Sequence, residues 1–412
     1  MWFFKDITIQ SNKIKTNKIN ILDSYFNVNY TDISSDIKMN NFTLDAEGGL
    51  NLDAQTLNMS FNSSDELTAI KFAINKADLD SMSQLASFLP EDFNDLKNQV
   101  TRLAPTGIIT DVMLDWQLGD KFFQGLDLRL TAEKIGFKPI NDYPGIKNLS
   151  AVFDISDNEG LIKISSSDLT LTNNDIFRQP IKFKQINGEL SWLDNIYQLN
   201  NFKIINKDFV SDIVATYISS ERNDGNIDLE INIPSADISQ LTNFYPKFIG
   251  KTGLQWLDTS LLKGIANNTK ISLKGDLHNF PFVDDVGNKE ATQGLFEVTS
   301  SIKGSTIEYG AGWPNAEDFD IDVSVVGSKI EFTSNQGHIL NNDITSFTAV
   351  IDDFTKDNVS LDVTLFTVSP LDKMINAINN SPVKKTMKGV SEAMLGSGPG
   401  QLELTLNIPL KD

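Results

Sequence analysis

The chain has 412 residues, 40% of them hydrophobic, enough to bury a core, which excludes disorder by composition. With 35 Lys and Arg against 55 Asp and Glu, the formal charge is −20. That surface repels phosphate backbones and keeps the body as a whole off anionic lipid, and the lack of cysteine excludes disulfides, thiolate nucleophiles and Cys-ligated metal.

At the N-terminus Met1-Trp2-Phe3-Phe4 runs into Lys5 and Asp6, too short a core for a signal peptide. No run of roughly 18 apolar residues exists, so no transmembrane helix is expected. Taken alone, the chain reads as cytoplasmic or as a piece of something longer. Its last residues, QLELTLNIPLKD, still read as strand, which favours the piece.

Period-2 alternation dominates from there on. Leu126, Leu128 and Leu130 share one face, as do Ile227, Leu229, Ile231 and Ile233. Phe296 and Val298 follow the same rule, then Phe319, Ile321, Val323 and Val325. Val359, Leu361, Val363 and Leu365 form another set, and Leu402, Leu404, Leu406 and Ile408 the last. Polar clusters such as SDNEG, TNND and ERNDG separate the runs at hairpin spacing. The pattern predicts antiparallel strands with one apolar and one wet face.

Helical spacing occurs in three places. The first runs from Leu79 to Leu103 and is broken near Pro90; the second runs from Ile238 to Ile265; the third runs from Leu371 to Leu395. The junctions repeat. INKADLDSMSQLASFLP (74–90) and INIPSADISQLTNFYP (231–246) share Ala-Asp, an apolar residue, Gln-Leu, Phe and Pro. DYPGIKNLSAVFDI (142–155) likewise resembles GWPNAEDFDIDVSV (312–325), with Pro144 against Pro314. The expected organisation is therefore three blocks: 1–105, a partial β block ending in a helical segment; 106–265, a central β block with a helix-turn-helix end; and 266–412, a C-terminal β block with a helix. Repeats stack, which predicts a long molecule.

Gly310, Gly312, Trp313 and Pro314 lie together in EYGAGWPNAEDF. A dinucleotide loop needs a third glycine and then a helix, but Asn315 and a strand pattern follow. The reading is a turn that ends strand pairing at Pro314, with Trp313 plugging the sheet edge and Tyr143 doing the same before Pro144.

No nucleophile elbow, Walker loop or metal-ligand spacing appears, and His278 and His338 sit in different blocks. Acidic neighbours such as Asp284-Asp285 and Asp352-Asp353 are read as solvated loop residues. No catalysis, metal or cofactor is expected. The three helical segments offer too little apolar surface to cover so many strands, so a sheet curled along its length would shelter its own apolar face as a furrow.

The run FYPKFIGKTGLQWLDTSLLKG, then SLKGDLHNFPF, then GLFEVTSSIKGSTIEYGAGWPNAEDFDIDV resembles the characteristic region of YhdP-type members of the AsmA-like family. Its landmarks are Tyr245-Pro246, Gln255-Trp256-Leu257, Gly264, Gly275, Phe280-Pro281-Phe282, Gly294, Phe296, Trp313-Pro314 and Phe319, and the resemblance covers about residue 70 to the end. It implies a Gram-negative periplasmic protein with an N-terminal inner-membrane helix lying outside this chain. It also implies a long β-groove carrying phospholipid toward the outer membrane, with phospholipid acyl chains and both membranes, or outer-membrane proteins, as partners.

The expected fold is mainly β: an elongated, taco-like antiparallel β-groove with three short helical insertions. Its lining is expected from Leu126, Leu128, Leu130, Ile227, Leu229, Ile231, Phe296, Val298, Phe319, Ile321, Val323, Leu361, Val363, Leu365, Leu402, Leu404 and Leu406. Tyr143, Pro144, Trp256, Gly310, Gly312, Trp313 and Pro314 are expected as turns or anchors. Two other readings stay open: a scaffold or chaperone that binds client strands of outer-membrane proteins at a sheet edge, and an enzyme or carbohydrate-binding solenoid.

Overall fold

Alternating apolar and polar residues make strands, and short polar turns return each strand beside the one before it. The computed structural model describes residues 2–9, 19–30, 34–46, 50–62, 67–80, 94–117, 125–140, 143–221, 224–247, 251–282, 293–356 and 358–410. They form two compact units, Met1–Asp175 with Gln179–Ile204, and Ile176–Arg178 with Ile205–Asp412.

The first unit begins with β1 (Trp2–Ile9), β2 (Ile19–Tyr30), β3 (Ser34–Ala46), β4 (Leu50–Asn62) and β5 (Leu67–Asp78). It continues with β6 (Thr106–Gln117), β7 (Leu126–Phe137), β8 (Gly145–Ser156), β9 (Glu159–Thr172), β10 (Ile181–Leu193) and β11 (Ile196–Ile205). From β1 to β10 each strand pairs antiparallel with the next. Helix α1 (Asn94–Leu103) lies between β5 and β6.

The second unit holds β12 (Val210–Ile218), β13 (Asn226–Asp237), β14 (Leu261–Asp276), β15 (Gly294–Ile307) and β16 (Ala316–Val326), paired in that order. β17 (Lys329–Ser334) and β18 (His338–Ile339) act as one broken strand between β16 and β19 (Asn342–Ile351). β20 (Ser360–Pro370) and β21 (Pro399–Pro409) complete the ladder. Helix α2 (Lys251–Ser260) connects β13 to β14; α3 (Leu371–Asn379), α4 (Val383–Thr386) and α5 (Val390–Ala393) connect β20 to β21.

Every helical segment is therefore an insertion in a hairpin whose two strands still pair. Following the antiparallel pairs, β13, β15 and β20 run in the same direction. The α-helical connections and the turn after β15 leave this unit's sheet at one end of its strands, and the 3-10 turn Leu277–Asn279 after β14 at the other.

The helical pattern expected over Ile238–Ile265 is shorter. After two 3-10 turns, Ile238–Gln240 and Thr242–Phe244, α2 stops at Ser260. Leu261, Leu262 and Ile265 belong to β14 instead, because Ile265 pairs with Asp237 on one side and Leu261 with Ile307 on the other. The third segment is broken after Asn379 at Ser381-Pro382, and again at Gly389, whose φ of 83° is left-handed. Met82, Leu85, Leu89, Pro90 and Phe93 of the first segment lie outside the described residues. The three expected blocks follow the sequence repeat, whereas the compact units divide near Ile205. β6 pairs with β5 across the boundary at 105, and β14 runs straight through the one at 265.

Left-handed residues interrupt the strands at recurring places. Asp111, Lys134, Asn148 and Asp168 in β6 to β9 have φ of 53°, 50°, 63° and 54°. Asn268, Gly304 and Asp318 in β14 to β16 have φ of 50°, 55° and 52°. The ladder register slips there, making β-bulges that bend the strands and increase their twist. The two sets correspond. Asn148 and Asp318 stand at the same distance beyond Pro144 and Pro314, and Lys134 and Gly304 at the same distance before them. The bulge amides are satisfied alike: the Lys134 N–H donates to Ser150 Oγ at 3.0 Å, and the Gly304 N–H to Asp320 Oδ1 at 3.0 Å. That bond, with Lys303, holds the Asp320 carboxyl below its ordinary value despite desolvation.

Candidate functional site

The register aligns the apolar positions of separate strands into rows. In the second unit Ile213, Ile231, Ile271, Val298, Val325, Ile330 and Ile351 are successive cross-strand partners from β12 to β19. Val323, Phe332, Ala349, Val363 and Leu406 make a second row from β16 to β21. Leu229, Leu273 and Phe296 form a third, and Phe347, Leu365 and Leu404 a fourth. In the first unit Leu114, Leu128, Ile155, Gly160 and Trp192 line up, as do Leu130, Phe153, Ile162 and Leu190. An alternating strand pins this register, since a one-residue slip would turn every apolar side chain to water.

Burial along these rows is graded. At the strand ends that carry the helices the side chains are fully packed. Ala316, Phe319, Ile321, Ile344 and Leu365 form one cluster, with Phe319 only 2% exposed and its ring edge-on to Phe347 at 5.6 Å. Ala236, Ile238 and Ala266 form another, and Ile74, Ala77, Ile109, Val112 and Ala132 are the counterpart in the first unit. The two repeat junctions thus place Ala77 and Ala236 in equivalent core positions. Toward the other strand ends most apolar side chains are half-buried, with Leu126 and Val359 buried as exceptions. In β13 and β21 the alternation is strict: Ile227, Leu229, Ile231 and Ile233, and Leu402, Leu404, Leu406 and Ile408, are half-buried, while their chain neighbours are exposed. Among the described elements, what packs on the sheet outside its own ladder is helical.

The opposite face is charged. Lys274 bonds Glu230 at 2.9 Å and Asp228 at 3.2 Å, and these two carboxylates raise its pKa. Lys71–Asp115, Arg129–Asp154 and Lys163–Glu189 pair in the same cross-strand manner. In these strands one face suits hydrocarbon and the other is mainly charged, with Val152, Val214 and Phe366 as exposed apolar exceptions.

Of the expected lining residues, Leu128, Leu130, Ile227, Leu229, Ile231, Phe296, Val298, Val323, Leu361, Val363, Leu402, Leu404 and Leu406 are half-buried. Leu126, Phe319, Ile321 and Leu365 are buried; the last three share one packed cluster, whereas Leu126 opens β7 opposite Trp116, at the end away from α1. At Gly310 the Trp313 N–H donates to the Gly310 carbonyl at 3.1 Å, closing a turn with Gly312 at φ 79° and Pro314 next. Trp313 is half-buried with its ring centroid 5.9 Å from Tyr309, whose hydroxyl burial pushes up to about 12. Tyr143 does not seat in the same way: it forms a tight bridge with Ile140, is 76% exposed and plugs nothing. Trp256 is exposed on α2.

Three features escaped the sequence reading. The bulges had a signal, Asn, Asp or Gly inside a strand pattern. Arg178 grips Asp258 through both nitrogens, at 2.5 and 2.9 Å, and donates to the Thr242 carbonyl, tying Ile176–Arg178 to α2 within the second unit. Phe282 fills the space above Gly294 and beside Gly275. With Phe296, Gly327 and Lys329 it lines an open pocket of about 250 Å³.

Both histidines sit beside carboxylates in the open. His278 lies 3.5 Å from Asp224; His338 lies 3.2 Å from Asp318 and 3.8 Å from Asp343, all with solvent access. Among the described residues no cluster of three or more His, Asp or Glu is placed to hold a metal ion. No described helix is long and apolar enough to cross a membrane.

These features define a mainly-β protein built of antiparallel ladders with one apolar face, its helices confined to hairpin insertions. The model of the YhdP protein family matches residues 4–412, and the chain belongs to that family. The match reaches further toward the N-terminus than the motif resemblance did. A relative is the Intermembrane phospholipid transporter YhdP of Escherichia coli (strain K12), 22% identical over 354 residues, which are 84% of this chain and 27% of the relative. The chain thus spans about a quarter of that relative's length. No solved structure matches it.

Proposed function

We propose that this chain is a section of a periplasmic phospholipid conduit between the inner and outer membranes of a Gram-negative envelope, with acyl chains lying along the apolar rows and no catalytic step. The observation that carries it is the half-buried state of Leu229, Ile231, Val298, Val363 and Leu406, joined in register and, among the described residues, not roofed by a second sheet. The E. coli relative, named an intermembrane phospholipid transporter, supports it.

The energetics fit. Each methylene moved from hydrocarbon to water costs about 0.8 kcal/mol, so a two-chain lipid with roughly 30 methylenes faces a barrier of more than ~20 kcal/mol in free solution. A continuous apolar surface removes most of it. The strand ends opposite the helices leave the rows less covered, and there the headgroups would meet water. The bulges supply the bending that lets one sheet shelter its own apolar face.

The test is mass spectrometry of lipids co-purified without detergent from periplasmic expression. More than one phospholipid per chain is expected; a folded, lipid-free protein would overturn the reading. Because the chain has no cysteine, a single cysteine at Val363 can carry a photoreactive probe, with Asp362 on the opposite face as control. Lipid crosslinks at Val363 and none at Asp362 are expected.

A further inference from the structure

We propose that the helical connection between β20 and β21 is a docking surface for an anionic lipid bilayer. Over the whole chain acids outnumber bases by twenty, but from Leu371 to Gly398 the balance reverses. Lys373, Lys384, Lys385 and Lys388 stand against Asp372 and Glu392 alone. Glu392 is taken up by Lys384.

The same segment presents apolar side chains to solvent. Leu395 is 100% exposed, and Val390, Met394 and Leu371 are exposed beside it. They are not spare core. Met374 and Ile375 already occupy the side of α3 that faces the sheet, and Leu371 and Ile375 back onto Gly396. The left-handed Gly389 redirects the chain into α5, so Val390 and Met394 fall one helical turn apart on its outer surface. Large apolar groups interleaved with lysines on short helices match a bilayer interface, where hydrocarbon takes up the former and phosphate the latter.

Place supports the assignment. The connection joins the last two strands of the second unit's ladder, at the strand ends where the Trp313 turn also emerges, and Pro382 comes within contact of the Cβ position of Gly312. The acidic remainder is repelled by the same membrane, which confines contact to this patch. The inference does not rest on the conduit reading; a chain that carries no lipid could still dock here.

The experiment is co-flotation of the 412-residue chain with vesicles of phosphatidylcholine alone or with added phosphatidylglycerol. Binding is expected only with phosphatidylglycerol and should fall with salt as the charges are screened. Replacing Lys384, Lys385 and Lys388 by Gln should weaken it by about fivefold per lysine, by the size of a surface charge's contribution. Leu395→Ser, at a fully exposed site and without a change of charge, should weaken binding while leaving its salt dependence unchanged. No binding to either vesicle, equal binding to both, or binding untouched by these variants with the melting midpoint intact would overturn the proposal.

Discussion

The indole of Trp192 occupies the space that a β-carbon would need at Gly160, its register partner on the neighbouring strand. An aromatic ring over a cross-strand glycine covers backbone that would otherwise be wet, and it leaves no room for growth. Gly160→Ala should therefore destabilise the chain by about 1–3 kcal/mol, as overpacking does. In a Trp192→Leu background the same substitution should cost much less. Denaturant titration of the four proteins of this cycle measures the coupling, and additive costs would show that the ring is free to move aside.

Leu229 and Phe319 are both apolar strand residues, but one is half-buried and the other is 2% exposed. Leu229→Glu should lower the amount of co-purified lipid while the melting midpoint stays near that of the parent chain. Phe319→Ala should cost about 3–5 kcal/mol in stability through lost burial and a cavity. Equal loss of fold and of lipid in Leu229→Glu would make that residue ordinary core.

Asn148 holds a φ of 63° inside β8 and donates its side-chain amide to the Asp168 carbonyl at 3.0 Å. A β-branched residue disfavours the left-handed region, so Asn148→Val should cost about 1–3 kcal/mol. Asn148→Gly, which tolerates the conformation, should cost less. Urea unfolding of both variants decides it; a benign valine would mean that the bulge is not held at this residue.

Arg178 and Asp258 form a two-point ion pair that holds the Asp258 carboxyl below its ordinary value, chiefly through the hydrogen bond. A lowered folded pKa gives stability that is present above the unfolded value of about 3.9 and is lost as pH falls through the folded one. Both side chains are partly exposed, so Arg178→Gln should cost about 1 kcal/mol or less at neutral pH. The gap between variant and parent should narrow as pH falls below about 3.9. Unfolding curves at neutral and acid pH test this, and a gap constant with pH would mean that the Thr242 contact, not the ion pair, carries the effect.

The amino-acid sequence by itself determined the strands and their two faces, because side chains alternate with a period of two and apolar residues fill one set of positions, as in Ile227 to Ile233 and Leu402 to Ile408. It also marked the junctions after β5 and β13, where Ala77 and Ala236 repeat in equivalent buried places. Tertiary structure decided the rest. Leu261, Leu262 and Ile265 carry helical spacing yet form β14, because strands on both sides supply ladder bonds that outweigh local preference. Tyr143 and Trp313 precede matching prolines, yet only Trp313 finds an aromatic neighbour, Tyr309, to pack against. Which apolar positions are sealed core and which are half-open was likewise illegible. Leu229 and Phe319 look alike in the chain, and what separates them is the packing around Phe319, whose ring lies against Gly337 and edge-on to Phe347.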